Sequence, residues 1–265
     1  MSPQAAGLHA GAARAAAAGS ALFWAFFFYG LIDLVVPIDQ TPGFYDYYLL
    51  ETGWGVLYTF LVGLAFVSLA ARPDMVVPLA QVALVAGSLT VTALAAGSWV
   101  QLAPAMLLGA NCYAVLMLTQ RQAALPTSWY RLRLDPPTGV AAVILAAPAV
   151  LFAFEMVMGY REGRAPLDDD TAGIDHWPTQ AALGLAVAAV AVLVAGGVRA
   201  RWSGTAVSAS CLAVATGWFG FWSAVYPDHA GSAGRAPGLA LIAWAFAFAG
   251  LVWWRLASSR APATR

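Results

Sequence analysis

Eight long apolar runs, each close to the length of a membrane crossing, restrict this chain to one kind of architecture before any motif is considered. They cover about Ala21–Ile38, Trp54–Ala71, Met75–Ala96, Trp99–Leu118, Thr138–Tyr160, Pro178–Val198, Ser203–Tyr226 and Pro237–Trp254. An α-helix needs roughly 20 such residues to cross ~30 Å of hydrocarbon. Strands of a membrane barrel would alternate apolar and polar residues, and these runs do not. The stretch from Met75 to Leu118 is too long for one crossing and breaks at Gly97-Ser98, so it reads as a hairpin of two spans. The first run is followed by Asp33, Pro37 and Asp39 rather than by a small-residue cleavage site, so it reads as a retained span. The expectation is an all-α, polytopic membrane bundle of eight transmembrane helices over residues 21–254. A segment, 1–20, precedes it and a tail, 255–265, follows. Composition agrees: 10% of residues are charged and the mean hydropathy is +0.73, whereas a soluble domain carries roughly 25% charged residues to wet its surface.

Charge orients the spans. With eight crossings, one face receives Arg14, Arg72, Arg121, Arg131, Arg133, Arg199, Arg201, Arg255, Arg260 and Arg265, ten of the thirteen basic residues. The other face keeps Arg161, Arg164 and Arg235 but holds eleven of the thirteen acids, since only Asp74 and Asp135 fall on the arginine side. Under the positive-inside rule both termini are cytoplasmic, and the protein belongs in the cell's inner (plasma) membrane. An odd number of spans would scatter the arginines over both faces.

Every basic residue is arginine. Without lysine there is no Schiff-base chemistry and no Walker A phosphate loop. No G-x-S-x-G elbow is present. His9, His176 and His229 all lie outside the apolar runs, which removes a mid-membrane bis-histidine haem. Cys112 and Cys211 sit within apolar runs and read as small buried hydrophobes.

The longest polar interruption, Glu155 to Gln180, draws most attention. It opens with a carboxylate inside an apolar run, passes Asp168-Asp169-Asp170 (read as a solvated turn, since the EF-hand alternation is missing) and closes on Asp175-His176-Trp177-Pro178. Asp33 and Glu155 are the two acids carried furthest into apolar runs, where a carboxylate facing lipid costs on the order of 3 kcal/mol. Each must therefore face protein or a wet cavity. With Glu51 and Asp46 from the aromatic segment Ile38–Gly53, expected as a headgroup-level girdle, they define an expected outward-facing polar pocket. Asp175-His176 and Asp228-His229 lie at two outer span ends, and their convergence would make a divalent metal site. No other cofactor is implied. The long inner loop Thr119–Pro137 offers Tyr130, Arg131 and Arg133 to anionic headgroups. A parallel four-plus-four repeat would place Asp33 and Glu155 at comparable positions. Alanine-rich span six is expected at the centre of the bundle.

Three functions fit these residues: a carrier or binding protein for a cation or small polar solute, a membrane-embedded, metal-assisted enzyme acting on a lipid at the outer leaflet, or an accessory subunit that scaffolds a larger complex. The expected partners are membrane lipids and either a second copy or a membrane complex, with no nucleic acid and no nucleotide.

Overall fold

The computed structural model describes residues 3–40, 42–119, 133–164, 170–171 and 173–258. Among them eight helices are long and apolar enough to cross a membrane: α1 (His9–Asp39), α2 (Tyr45–Ala71), α3 (Val76–Ala96), α4 (Trp99–Leu118), α5 (Pro136–Arg161), α6 (His176–Ala200), α7 (Thr205–Val225) and α8 (Arg235–Ser258). The eight expected crossings are all there, and the chain is a multi-pass membrane protein. A two-residue hairpin, β1 (Asp170–Thr171) against β2 (Ile174–Asp175), leads into α6. Asp168, Asp169, Arg121, Tyr130, Arg131, Arg260 and Arg265 lie outside the described residues.

Loop contacts sort the connections onto two ends. At one, the Val77 N–H donates to the Ser203 carbonyl at 3.1 Å, the Asp135 N–H donates to the Ala195 carbonyl, and Arg255 pairs with Asp135. At the other, Asp175 accepts from Ser98 and Tyr160, while the Tyr45 ring meets His229. These contacts define an arginine-bearing end and an acidic end of the bundle. At the arginine-bearing end, Asp135 also caps α5 by accepting from the Thr138 N–H. Burial pushes its carboxyl pKa up, but the hydrogen bonds from Arg255 and Thr138 outweigh this and hold it below the usual carboxylate value.

α6 forms the centre. Alanines and Gly184 narrow it, and 83% of its most apolar window is buried, against 22% for α8. α5 runs along α6, α8 along α7, and α3 packs on the other side of α6. Without water to take up stray polar groups, side chains tie these helices together. Gln81 donates to the Leu61 carbonyl at 2.6 Å, Trp244 to the Ala141 carbonyl at 2.8 Å, and Trp24 to Asn111 Oδ1 at 2.9 Å.

Two boundaries differ from expectation. Helix extends back to Pro3, because alanine is the best helix former and its small side chain allows Ala13 and Ala17 to be fully buried. The segment Ile38–Gly53, expected as a headgroup girdle, is more structured than a loop: a 3-10 helix at Pro42–Tyr47 gives way to α-helix at Tyr48, whose Tyr48, Glu51 and Trp54 are buried.

Candidate functional site

The first two helices are the irregular ones, and their irregularities adjoin. α1 passes through a π-helical turn at Phe23–Phe27. It breaks at Tyr29, which adopts a left-handed backbone (φ 63°), and resumes at Gly30. A left-handed tyrosine costs on the order of 1–3 kcal/mol and persists only where its surroundings impose it. Here a tryptophan from the neighbouring helix does so: Trp54 Nε1 donates to the Phe28 carbonyl at 2.9 Å, satisfying a group the break leaves open. α2 answers with its own π-helical stretch, Val56–Gly63, the kind of distortion that recurs at functional positions. The two helices touch through glycine. A Cβ on Gly55 would strike the Leu34 backbone, and one on Gly30 would lie 2.7 Å from Thr59 Oγ1.

That contact brings two acids together. Asp33 stands in the first turn of the resumed α1, and Glu51 lies in the opening turns of α2. Each is 5% exposed, and the two carboxyl groups lie close enough to interact electrostatically. His176, the first residue of α6 and 1% exposed, completes the group. Its Nε2 is 3.8 Å from Glu51 Oε2 and 2.9 Å from the Thr171 hydroxyl of the hairpin. The Trp54 ring stands edge-on to the imidazole at 5.4 Å. Below, Trp24, Phe28, Trp54 and Tyr58 pack ring to ring at 4.8–5.2 Å, closing the site toward the middle of the bundle. Among the described residues, Asp33 Oδ2, the Tyr58 hydroxyl and the Thr59 hydroxyl are buried without a hydrogen-bond partner.

Two carboxyl groups placed side by side can form a hydrogen bond only when one of them carries a proton, because an ionised carboxylate can only accept. The imidazole beside them reaches toward the acidic end through Thr171, so three ionisable side chains share an enclosure lined by aromatic rings.

The remaining predicted residues are placed elsewhere. Glu155 is exposed and lines a separate cavity with α6, α7 and α8, whose lining does not include Asp33. Asp46 is exposed. Asp175 is engaged structurally: its Oδ2 accepts from Ser98 at 2.8 Å and from Tyr160 at 2.8 Å, pinning the start of α6 and hence the position of His176. His229 sits among the Tyr45, Tyr48 and Tyr226 rings, and Asp228 is exposed. Among the described residues no group of three or more His, Cys, Asp and Glu side chains is arranged to hold a metal. The four residues expected to converge on a metal, Asp175, His176, Asp228 and His229, have different surroundings. Asp175 is taken up by hydroxyls and His176 faces the carboxyl pair, while His229 faces rings.

Gln180 was read only as the edge of a polar loop. It is fully buried, one turn below His176, and its amide donates to the carbonyls of Leu49 at 3.3 Å and Gly231 at 2.9 Å. It holds α2 and the α7–α8 connection against α6. No family model matches the chain, and no curated protein or solved structure shows detectable similarity to it.

Proposed function

We propose that the chain is a proton-exchanging membrane carrier whose coupling site is Asp33, Glu51 and His176. The single observation behind this reading is the buried carboxyl pair beside an imidazole, set at the break of a discontinuous helix. Ionisable groups inside a membrane bundle are costly, and where they occur they mark proton and ion pathways. Broken helices are the usual carriers of coupling sites in secondary transporters, because their free backbone ends and short segments can move while the rest of the bundle stays fixed. In this reading a proton arriving at the acidic end passes by way of the Thr171 hydroxyl to His176, from the imidazole to Glu51, and is shared with Asp33. Movement of the Gly30–Asp39 segment about Tyr29 then exposes the pair to the other side. The arginine asymmetry supports an orientation with the arginine-bearing end and both termini in the cytoplasm, so that the site lies near the outer face of the plasma membrane.

The test is gradient dissipation. Protein reconstituted in liposomes with an entrapped pH-sensitive dye should collapse an imposed proton gradient, alone or on addition of a driven solute, faster than empty liposomes do. Asp33→Asn and Glu51→Gln keep shape and polarity but remove the exchangeable proton, and each should abolish the effect while the protein remains folded. An accessory subunit would tolerate both substitutions. Undiminished flux in the Asp33→Asn, Glu51→Gln double variant defeats the proposal.

A further inference from the structure

The cavity that holds Glu155 is separate from the carboxyl pair, and its construction points to a ligand of its own. α5 and α8 are joined at the arginine-bearing end by Asp135 and Arg255 and by the Trp244 bond to Ala141. Between them lies a cavity of about 390 Å³, within the ~300–1,000 Å³ range of small-molecule sites. Its floor is α6 and α7, with Gly184 and Phe219. The side chains at its mouth, Ile144, Leu151, Pro237 and Ala240, are exposed and apolar, so in a bilayer the mouth opens to lipid rather than to water. Pro148, also at the mouth, has no N–H and leaves the Ile144 carbonyl without its helical donor.

Polar groups are few on this lining. The Thr216 hydroxyl is spent on the Leu212 carbonyl and the Ser232 hydroxyl on the Ser223 carbonyl. Glu155 is the one charged residue, and it stands on an apolar wall. Eleven residues of helix separate Ile144 from Glu155, roughly 16 Å at 1.5 Å per residue, which matches an extended alkyl chain better than a compact solute. We infer that this is a lateral entry site for a single-chain cationic amphiphile from the lipid phase, its ammonium head on Glu155 and its chain lying along α5 toward Ile144. Charge complementarity selects this occupant: a carboxylate beside hydrocarbon gains most from a ligand that brings its own cation. α6 carries both His176 and Gly184, so one helix serves this cavity and the carboxyl pair. The binding claim does not depend on proton exchange.

The experiment is photolabelling in lipid nanodiscs with three probes of equal chain length carrying a mid-chain diazirine: an alkylamine, an alkyl alcohol and an alkyl carboxylate. Adducts are mapped by mass spectrometry. The amine should label the α5, α7 and α8 segments that line the cavity about tenfold more than the alcohol, the ratio supplied by one ion pair of ~1.4 kcal/mol, and the carboxylate least. Glu155→Gln should erase the preference and leave amine and alcohol equal. Ala240→Phe, at the exposed mouth, should suppress labelling by both without disturbing the helix contacts. Equal labelling by all three probes in the unaltered protein means an ordinary lipid chain fills the cavity and overturns the proposal. Retention of the amine preference in Glu155→Gln overturns it as well, as do cross-linked dimers in place of lipid adducts.

Discussion

Replacing Asp175 with alanine should destabilise the protein by about 2–3 kcal/mol, and the figure can be built from its contacts. One oxygen, Oδ2, accepts from both the Ser98 hydroxyl and the Tyr160 hydroxyl at 2.8 Å. Hydrogen bonds to a charged group are worth ~1.5–3 kcal/mol each, and Asp175 is partly exposed, so the lower end of that range applies. Ser98 is buried and would be left without its acceptor, whereas Tyr160 is only half-buried and recovers part of its loss by reaching water. No cap is lost in addition, because the Asp175 side chain makes no capping hydrogen bond to α6. Thermal unfolding followed with a thiol-reactive dye suits the measurement. Cys112 and Cys211 are both free and buried, so they react only when the bundle opens. Membrane-protein unfolding is commonly irreversible, so variants are compared at one heating rate. Asp175→Ala should lower the apparent Tm by several degrees, Tyr160→Phe by less, and the double variant by little more than Asp175→Ala alone, since the two share one interaction. Proton flux should fall with Asp175→Ala because His176 loses its anchored start. An unchanged Tm, or strictly additive losses, would refute the assignment of Asp175 as the pin that sets His176.

Three further outcomes follow from the same structure. The Asp135 carboxyl is held below its ordinary value, despite the opposing effect of burial, by Arg255 and Thr138; the stabilisation it gives is therefore complete above the unfolded value of about 3.9 and is lost as pH falls through the folded one. The apparent Tm should drop on acidification below about pH 4, and Asp135→Asn should flatten that drop while lowering the Tm at neutral pH; identical pH profiles would contradict this. Gly55→Val should prevent stable assembly of the α1–α2 pair, since even a Cβ there meets the Leu34 backbone and overpacking costs ~1–3 kcal/mol where neighbours can yield; a variant as stable as the parent would show that the two helices do not touch at this point. For orientation, a cysteine at Asp228 in a background lacking Cys112 and Cys211 should react with an impermeant maleimide in intact cells and one at Arg72 should not, and the reverse pattern would invert the topology.

The number of helices was legible because twenty apolar residues admit so few alternatives in a membrane. Asp33 and Glu51 were legible as members of one expected polar pocket. The burial of Glu51 was not, since Phe44, Tyr45, Tyr47, Tyr48 and Trp54 imitate an interfacial belt. Its depth follows from position along a helical hairpin. Asp33 and Glu51 lie at similar distances on either side of the turn near Pro42, so two antiparallel helices bring them level. Glu155 misled for a complementary reason: it resembles Asp33 in sequence placement, yet α5 is a peripheral helix and α1 is held against α2 by glycines. The break at Tyr29 had no sequence signal beyond Gly30, because it depends on Trp54 and the packing of a second helix. The partners of the Asp-His pairs were not legible, because neighbours in sequence point to different surroundings. Asp175 turns to Ser98 and Tyr160 while His176 turns to Glu51.

A proton held between Asp33 and Glu51, as proposed, is open to direct measurement by infrared spectroscopy of the protein in lipid nanodiscs at neutral pH. The parent protein should show a protonated-carboxyl C=O band that is absent from the Asp33→Asn, Glu51→Gln double variant and retained in Glu155→Gln. A parent spectrum with only ionised carboxylates, or a band that survives the double substitution, would contradict it.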